Sequence, residues 1–104
     1  MENINQDKWS QLIESNKDAL ILDVRTPQEC AQGIQPNAEV LNFLDYDSFI
    51  KGLERLNKDK SFFVYCRSGN RSAKACMIMD QMGFKKTYNL LGGMIEWKGK
   101  IEIY

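Results

Sequence analysis

The chain has 104 residues, 43% apolar and 27% charged, a balance that excludes a disordered segment, a fibre or a disulfide-framed miniprotein and leads us to expect one domain over 1–104. Fourteen Lys and Arg offset fourteen Asp and Glu, which argues against a nucleic-acid binder, because such proteins usually carry a basic excess. The chain has no His, which rules out a His-based triad, a Cys–His pair and a His-ligated metal, so any nucleophile must be activated without imidazole.

Asn5 can cap a first helix carrying Trp9, Leu12 and Ile13 at i, i+3, i+4 spacing. Ala19–Val24 is a short apolar run that reads as a buried strand. Thr26-Pro27-Gln28-Glu29 starts a short helix: Thr caps, Pro suits the first position, Glu29 completes a capping box, and Gly33 is the stop. Glu39–Asn42 is a candidate short strand. Tyr46, Phe49, Ile50, Leu53 and Leu56 then share one helical face, with Asp45 or Asp47 as cap and Asn57–Lys60 as the end. Phe62–Tyr65 is a second buried strand running into Cys66-Arg67-Ser68-Gly69-Asn70-Arg71-Ser72. A helix follows with Ala75, Ile78, Met79 and Met82 on one face and Gly83 as its stop. Thr87–Leu90 is a last short strand, and Leu91-Gly92-Gly93 turns into a final helix carrying Met94, Ile95 and Trp97. Alternating strands and helices with continuous apolar strands imply an α/β fold, a parallel sheet covered on both faces.

Three cysteines, Cys30, Cys66 and Cys76, form no C-x-x-C pair, which disfavours a zinc knuckle and a thioredoxin-type redox couple; no metal or organic cofactor is expected. Met1–Asp7 lacks a basic and then apolar leader, and no apolar run approaches the roughly 20 residues of a membrane span. The expectation is a cytoplasmic protein with reduced thiols and no membrane or nucleic-acid partner.

The chemistry is expected where the strand ends at Cys66. Ligands of open α/β sheets bind beyond the carboxyl ends of strands. A loop curling around its first residue points backbone N–H groups inward, and the next helix adds the positive end of its dipole. Arg67 and Arg71 bring two permanent charges. Together these favour a thiolate at Cys66, whose free pKa would lie near ~8.5. Asp23 and Arg25 follow a strand end and either line this site or form a structural ion pair. Arg71 is expected to hold the loop closed against Asp23 or Glu29, with the choice open, although Glu29 reads first as the capping-box acid. Cys30, Cys76, Trp97 and the Met77, Met79 and Met82 group read as core packing. Gly92 and Gly93 read as a tight turn.

Cys66–Ser72 resembles the active-site loop of single-domain rhodaneses, the thiosulfate sulfurtransferases. Leu22–Glu29 is similar to that family's first motif and Leu91–Trp97 to its last, so the resemblance runs in order from about Ala19 to Lys98. It implies a rhodanese-like fold with a central, mostly parallel five-stranded sheet and helices on both faces. It implies a persulfide on Cys66, formed from thiosulfate or another persulfide donor and discharged to cyanide, a thiol or a protein thiol. Arg67, Ser68, Gly69, Asn70, Arg71 and Ser72 would form the substrate-binding loop, with Asp23 and Arg25 in support. Two departures stand out. Gly33-Ile34-Gln35-Pro36-Asn37-Ala38 lacks the family's usual His and second Gly, so a local structural difference is expected, and Cys30 stands where an aromatic residue is usual.

Two other functions compete. Cysteine phosphatases and arsenate reductases also set Cys and Arg around an anion, but with one more residue between them than the four separating Cys66 from Arg71. The shorter loop suits a single sulfur better than a phosphoryl group. An inactive binding module would usually have lost the cysteine, which is kept here with both arginines. A protein-to-protein sulfur relay uses the same chemistry as small-molecule transfer.

Overall fold

A computed structural model describes residues 1–104. Its elements are β1 (Glu2–Ile4), α1 (Gln6–Ser15), β2 (Ala19–Asp23), α2 (Pro27–Cys30), β3 (Glu39–Val40), α3 (Tyr46–Glu54), β4 (Ser61–Tyr65), α4 (Asn70–Gln81) and β5 (Lys86–Leu90), then a 3₁₀ turn at Met94–Glu96. The five strands form one sheet in the order β1-β5-β4-β2-β3, every pairing parallel. From β2 the chain steps outward to β3, then jumps back across β2 to β4 and continues the other way. The carboxyl ends of β2 and β4 therefore flank a topological switch point, where open α/β sheets leave a crevice. In register there, Asp23 lies opposite Tyr65.

Alternation along the fully buried β4 supplies both faces of the sheet. Phe62 and Val64 join Leu22, Val24, Phe49 and Leu53 of α3, and Ala75, Cys76 and Met79 of α4. Phe63 and Tyr65 point the other way, to Ile4, Leu90 and Trp9 of α1. Trp9 meets Phe63 and Tyr65 edge-on at centroid distances of 5.4 and 6.2 Å.

The expected sheet with helices on both faces is present, with local differences. β1 is a three-residue edge strand in which only Ile4 is buried, too short for a hydrophobic period to announce it. The final helix is only a single 3₁₀ turn, because Gly92 and Gly93 both carry positive φ (81° and 55°) and the backbone runs straight into extended Trp97. β2 is buried only at its carboxyl end, and Leu20 is exposed. Met77, Tyr46 and Ile95 face solvent rather than the core. Asp45 occupies the cap position of α3 without a side-chain hydrogen bond. Asn37, where the family pattern places its second Gly, has φ 66°, a region Asn tolerates better than most residues. Ile34, in place of the His, pairs with Glu102 in an isolated antiparallel bridge. Gln35 is buried, its N–H donating to Tyr65 Oη (2.9 Å) and its Oε1 accepting from Trp9 Nε1 (3.0 Å).

Candidate active site

Cys66 follows β4 and is 1% exposed. Helix α4 begins after Gly69, which has φ 106° and no side chain with which to cap the helix. The Cys66 sulfur fills that role. Gly69 N–H donates to Sγ at 3.1 Å and Ser72 N–H at 3.4 Å, while Ser72 Oγ lies 3.3 Å away. An orphan N–H of the helix start and the positive end of its dipole thus converge on one sulfur. Burial pushes the Cys66 thiol up, but the hydrogen-bonding groups that Ser72, Gly69 and Ser68 turn toward the sulfur outweigh it, and the pKa falls below the ordinary thiol value. Cys30 and Cys76 show the contrast: burial dominates and pushes both up to about 12, leaving them inert core thiols.

The turn after β5 keeps the loop's carbonyls out of the way. Met94 N–H donates to the Cys66 carbonyl and Ile95 N–H to the Arg67 carbonyl, each at 3.0 Å. With those oxygens drawn outward, the loop presents N–H groups to the sulfur. This requires backbone to approach backbone. A Cβ on Gly93 would lie 2.4 Å from the Arg67 carbonyl oxygen and 2.7 Å from that of Cys66. The turn the sequence suggested therefore packs directly against the loop.

Arg71 pairs with Glu29, not with Asp23. Its Nη1 and Nη2 meet Glu29 Oε1 and Oε2 at 2.7 and 2.8 Å, in a bidentate fork. Glu29 keeps its capping-box role as well, with Oε1 accepting from Thr26 N–H at 3.0 Å. The Arg71 hydrogen bonds are the main reason its carboxyl falls to about 2, against partial burial, and the same pair raises the Arg71 guanidinium.

Asp23 is fully buried and bonded to Arg25, with Nη2 to Oδ2 at 2.7 Å. Arg25 Nη2 also reaches the Gly33 carbonyl at 2.7 Å. Burial opposes the Arg25 charge, yet the bonds to Asp23 prevail and raise its pKa. The pair is a buried ion pair tying β2 to the Gly33 turn, and Arg25 also borders a cleft that the loop residue Arg67 shares. That cleft, of about 460 Å³, is lined by Arg25, Glu29, Arg67, Gln28, Gln32, Met94 and Ile95. Arg67 is exposed and its guanidinium pairs with no carboxylate. Ser68 and Asn70 are also exposed, and Asn70 opens α4. The structure thus turns Gly69 N–H, Ser72 N–H and Ser72 Oγ toward one sulfur, leaves Arg67, Ser68 and Asn70 exposed, and bonds Asp23 to Arg25 rather than to the loop. No cluster of His, Cys, Asp or Glu could hold a metal, and no helix is long and apolar enough to cross a membrane.

One buried residue was not singled out from the sequence. Asn89 of β5 donates from Nδ2 to the Gly69 carbonyl (3.2 Å) and to Asn3 Oδ1 of β1 (2.9 Å), and its Oδ1 accepts from Ser72 Oγ. β5 is a largely polar strand, Lys86-Thr87-Tyr88-Asn89-Leu90, that also buries Thr87, so no hydrophobic pattern marks Asn89 out.

Comparison with known proteins agrees with this fold. The family model described as Rhodanese-like domain matches residues 5–100. A protein of Allochromatium vinosum named Sulfurtransferase is 37% identical over 94 residues, covering 90% of this chain and 85% of that protein. A tRNA uridine(34) hydroxylase of Pelagibacter ubique is 34% identical across 95% of this chain, which spans only 33% of that longer protein. The crystal structure of a rhodanese-like domain protein from Staphylococcus aureus superposes with a TM-score of 0.86 at 31% identity, covering 100% of this chain and 99% of that one.

Proposed function

Since the chain belongs to the rhodanese-like domain family, we propose that it is a sulfurtransferase carrying sulfane sulfur as a Cys66 persulfide. The observation that carries this reading is the convergence of Gly69 and Ser72 N–H groups on Cys66 Sγ at the N-terminus of α4. The donors that favour the thiolate are equally suited to a persulfide anion, as in an oxyanion hole.

In the first half-reaction, Cys66 thiolate attacks the outer sulfur of thiosulfate. A bond forms between Sγ and that sulfur, the donor's sulfur–sulfur bond breaks, and its electron pair leaves with sulfite. Arg67, exposed at the cleft and free of a carboxylate, attracts the dianionic donor. In the second half-reaction cyanide, a thiol or a protein thiol attacks the outer sulfur and the Cys66 thiolate returns. Arg71, clamped by Glu29, keeps its charge beside the loop and holds α2 against α4. No metal or organic cofactor takes part. The same steps serve a relay in which donor and acceptor are protein persulfides and thiols, and three free cysteines suit the reducing cytoplasm. The four-residue spacing from Cys66 to Arg71 favours sulfur over a phosphoryl group.

Initial rates with thiosulfate and cyanide both varied test this reading. Parallel double-reciprocal lines support a covalent sulfur intermediate, whereas intersecting lines, which require both substrates bound together, contradict it.

A further inference from the structure

Asn89 is 2% exposed, and its hydrogen bonds fix the direction of its amide. The Gly69 carbonyl can only accept, so the Asn89 atom 3.2 Å from it must be the NH₂ nitrogen. The second NH₂ hydrogen goes to Asn3 Oδ1, which pairing of β1 with β5 sets opposite Asn89. Asn89 Oδ1 is thereby turned to Ser72 Oγ in a short hydrogen bond that only the Ser72 hydroxyl can donate. A hydroxyl has one proton, yet the same Ser72 oxygen also lies 3.3 Å from Cys66 Sγ.

We propose that Asn89 is a positioning residue that holds the Ser72 proton away from Cys66, so that the sulfur anion rests mainly on backbone N–H groups. If the thiolate drew that proton to itself, Asn89 Oδ1 would be left buried without a donor, a costly state for a carbonyl oxygen. The consequence is a tempered thiolate. Nucleophilicity falls as pKa falls, so a sulfur over-stabilised by the hydroxyl would attack more slowly. The charged and titratable groups around Cys66 are Arg67 in the loop, Arg71 on α4 with Glu29 of α2, Asp23 of β2, and the thiol of Cys76 behind it on α4. None of them hydrogen-bonds to Asn89 or to the Ser72 side chain.

This inference rests on Cys66 being the sulfur-carrying nucleophile, but its test needs no sulfur transfer. Thiolate absorbance in the ultraviolet is followed against pH for the wild type, S72A, N89L and the double variant; Cys30 and Cys76, at about 12, titrate separately. With Asn89 present, S72A leaves the Cys66 pKa nearly unchanged. In the N89L background the freed hydroxyl serves the thiolate, so adding S72A raises the pKa by about one, a tenfold change in thiolate at fixed pH. An equal rise from S72A in both backgrounds overturns the proposal. Loosening of the loop by N89L is common to both members of its pair and cancels. Should N89L not fold, the S72A comparison with wild type decides alone: an unchanged pKa supports the proposal, and a rise of about one or more overturns it. Failure of Cys66 to take up sulfur would refute the proposed function and leave this titration readable.

Discussion

Replacing Glu29 by Gln probes the clamp on the loop. Gln keeps an oxygen for the Thr26 N–H, so the helix cap survives, while the charge facing Arg71 and the acceptor for its Nη2 are removed. Exposed ion pairs contribute about 0.2–1 kcal/mol, and breaking a fully buried one costs about 3–5 kcal/mol. The Glu29 and Arg71 side chains are 25% and 23% exposed and meet through two parallel contacts of 2.7 and 2.8 Å. The loss should lie between those limits, at about 2 kcal/mol, or roughly 8–16 °C in Tm for a domain of this size. The effect must also depend on pH. The Glu29 carboxyl is lowered from 4.5 to about 2, chiefly by Arg71, so its contribution is complete above 4.5 and is lost as pH falls through about 2. Urea unfolding followed by tryptophan fluorescence should therefore show the full gap between wild type and E29Q at neutral pH. The gap should narrow below about pH 4.5 and close near pH 2. A neutral-pH gap under about 0.5 kcal/mol, or one that does not change on acidification, would refute the reasoning.

Arg67→Ala should raise KM for thiosulfate roughly tenfold with an unchanged melting temperature, because its exposed charge serves capture of the donor and not the fold; steady-state kinetics and a thermal melt check both halves. Gly93→Ala should cost about 1–3 kcal/mol and abolish transfer, since its Cβ would strike the Arg67 and Cys66 carbonyls at a positive φ; urea unfolding alongside a transfer assay reads both effects.

What the sequence made legible was local. The Val64–Ser72 segment holds its strand, its cysteine, its turn glycine and its helix start within a few residues, so a loop turning its N–H groups toward Cys66 could be read from the pattern alone. The Thr26–Glu29 capping box was equally short-range. What stayed hidden depended on distant partners. Glu29 meets Arg71 across 42 positions, and no spacing rule separates that pairing from one with Asp23. Asn89 reaches Gly69 and Ser72 from β5, and its partner Asn3 lies on an edge strand too short to show a period. The final helix was overread because the apolar spacing of Met94, Ile95 and Trp97 suits a helix, while the two positive-φ glycines before it turn the backbone toward the loop instead.

The central claim is that Cys66 carries the sulfur, and the intact mass of the protein after incubation with thiosulfate tests it most directly. The account predicts that wild type gains one sulfur atom, that cyanide removes it, and that a folded Cys66→Ser variant gains none. Sulfur retained by Cys66→Ser, or a wild type that takes up none from either thiosulfate or a persulfide donor, would contradict it.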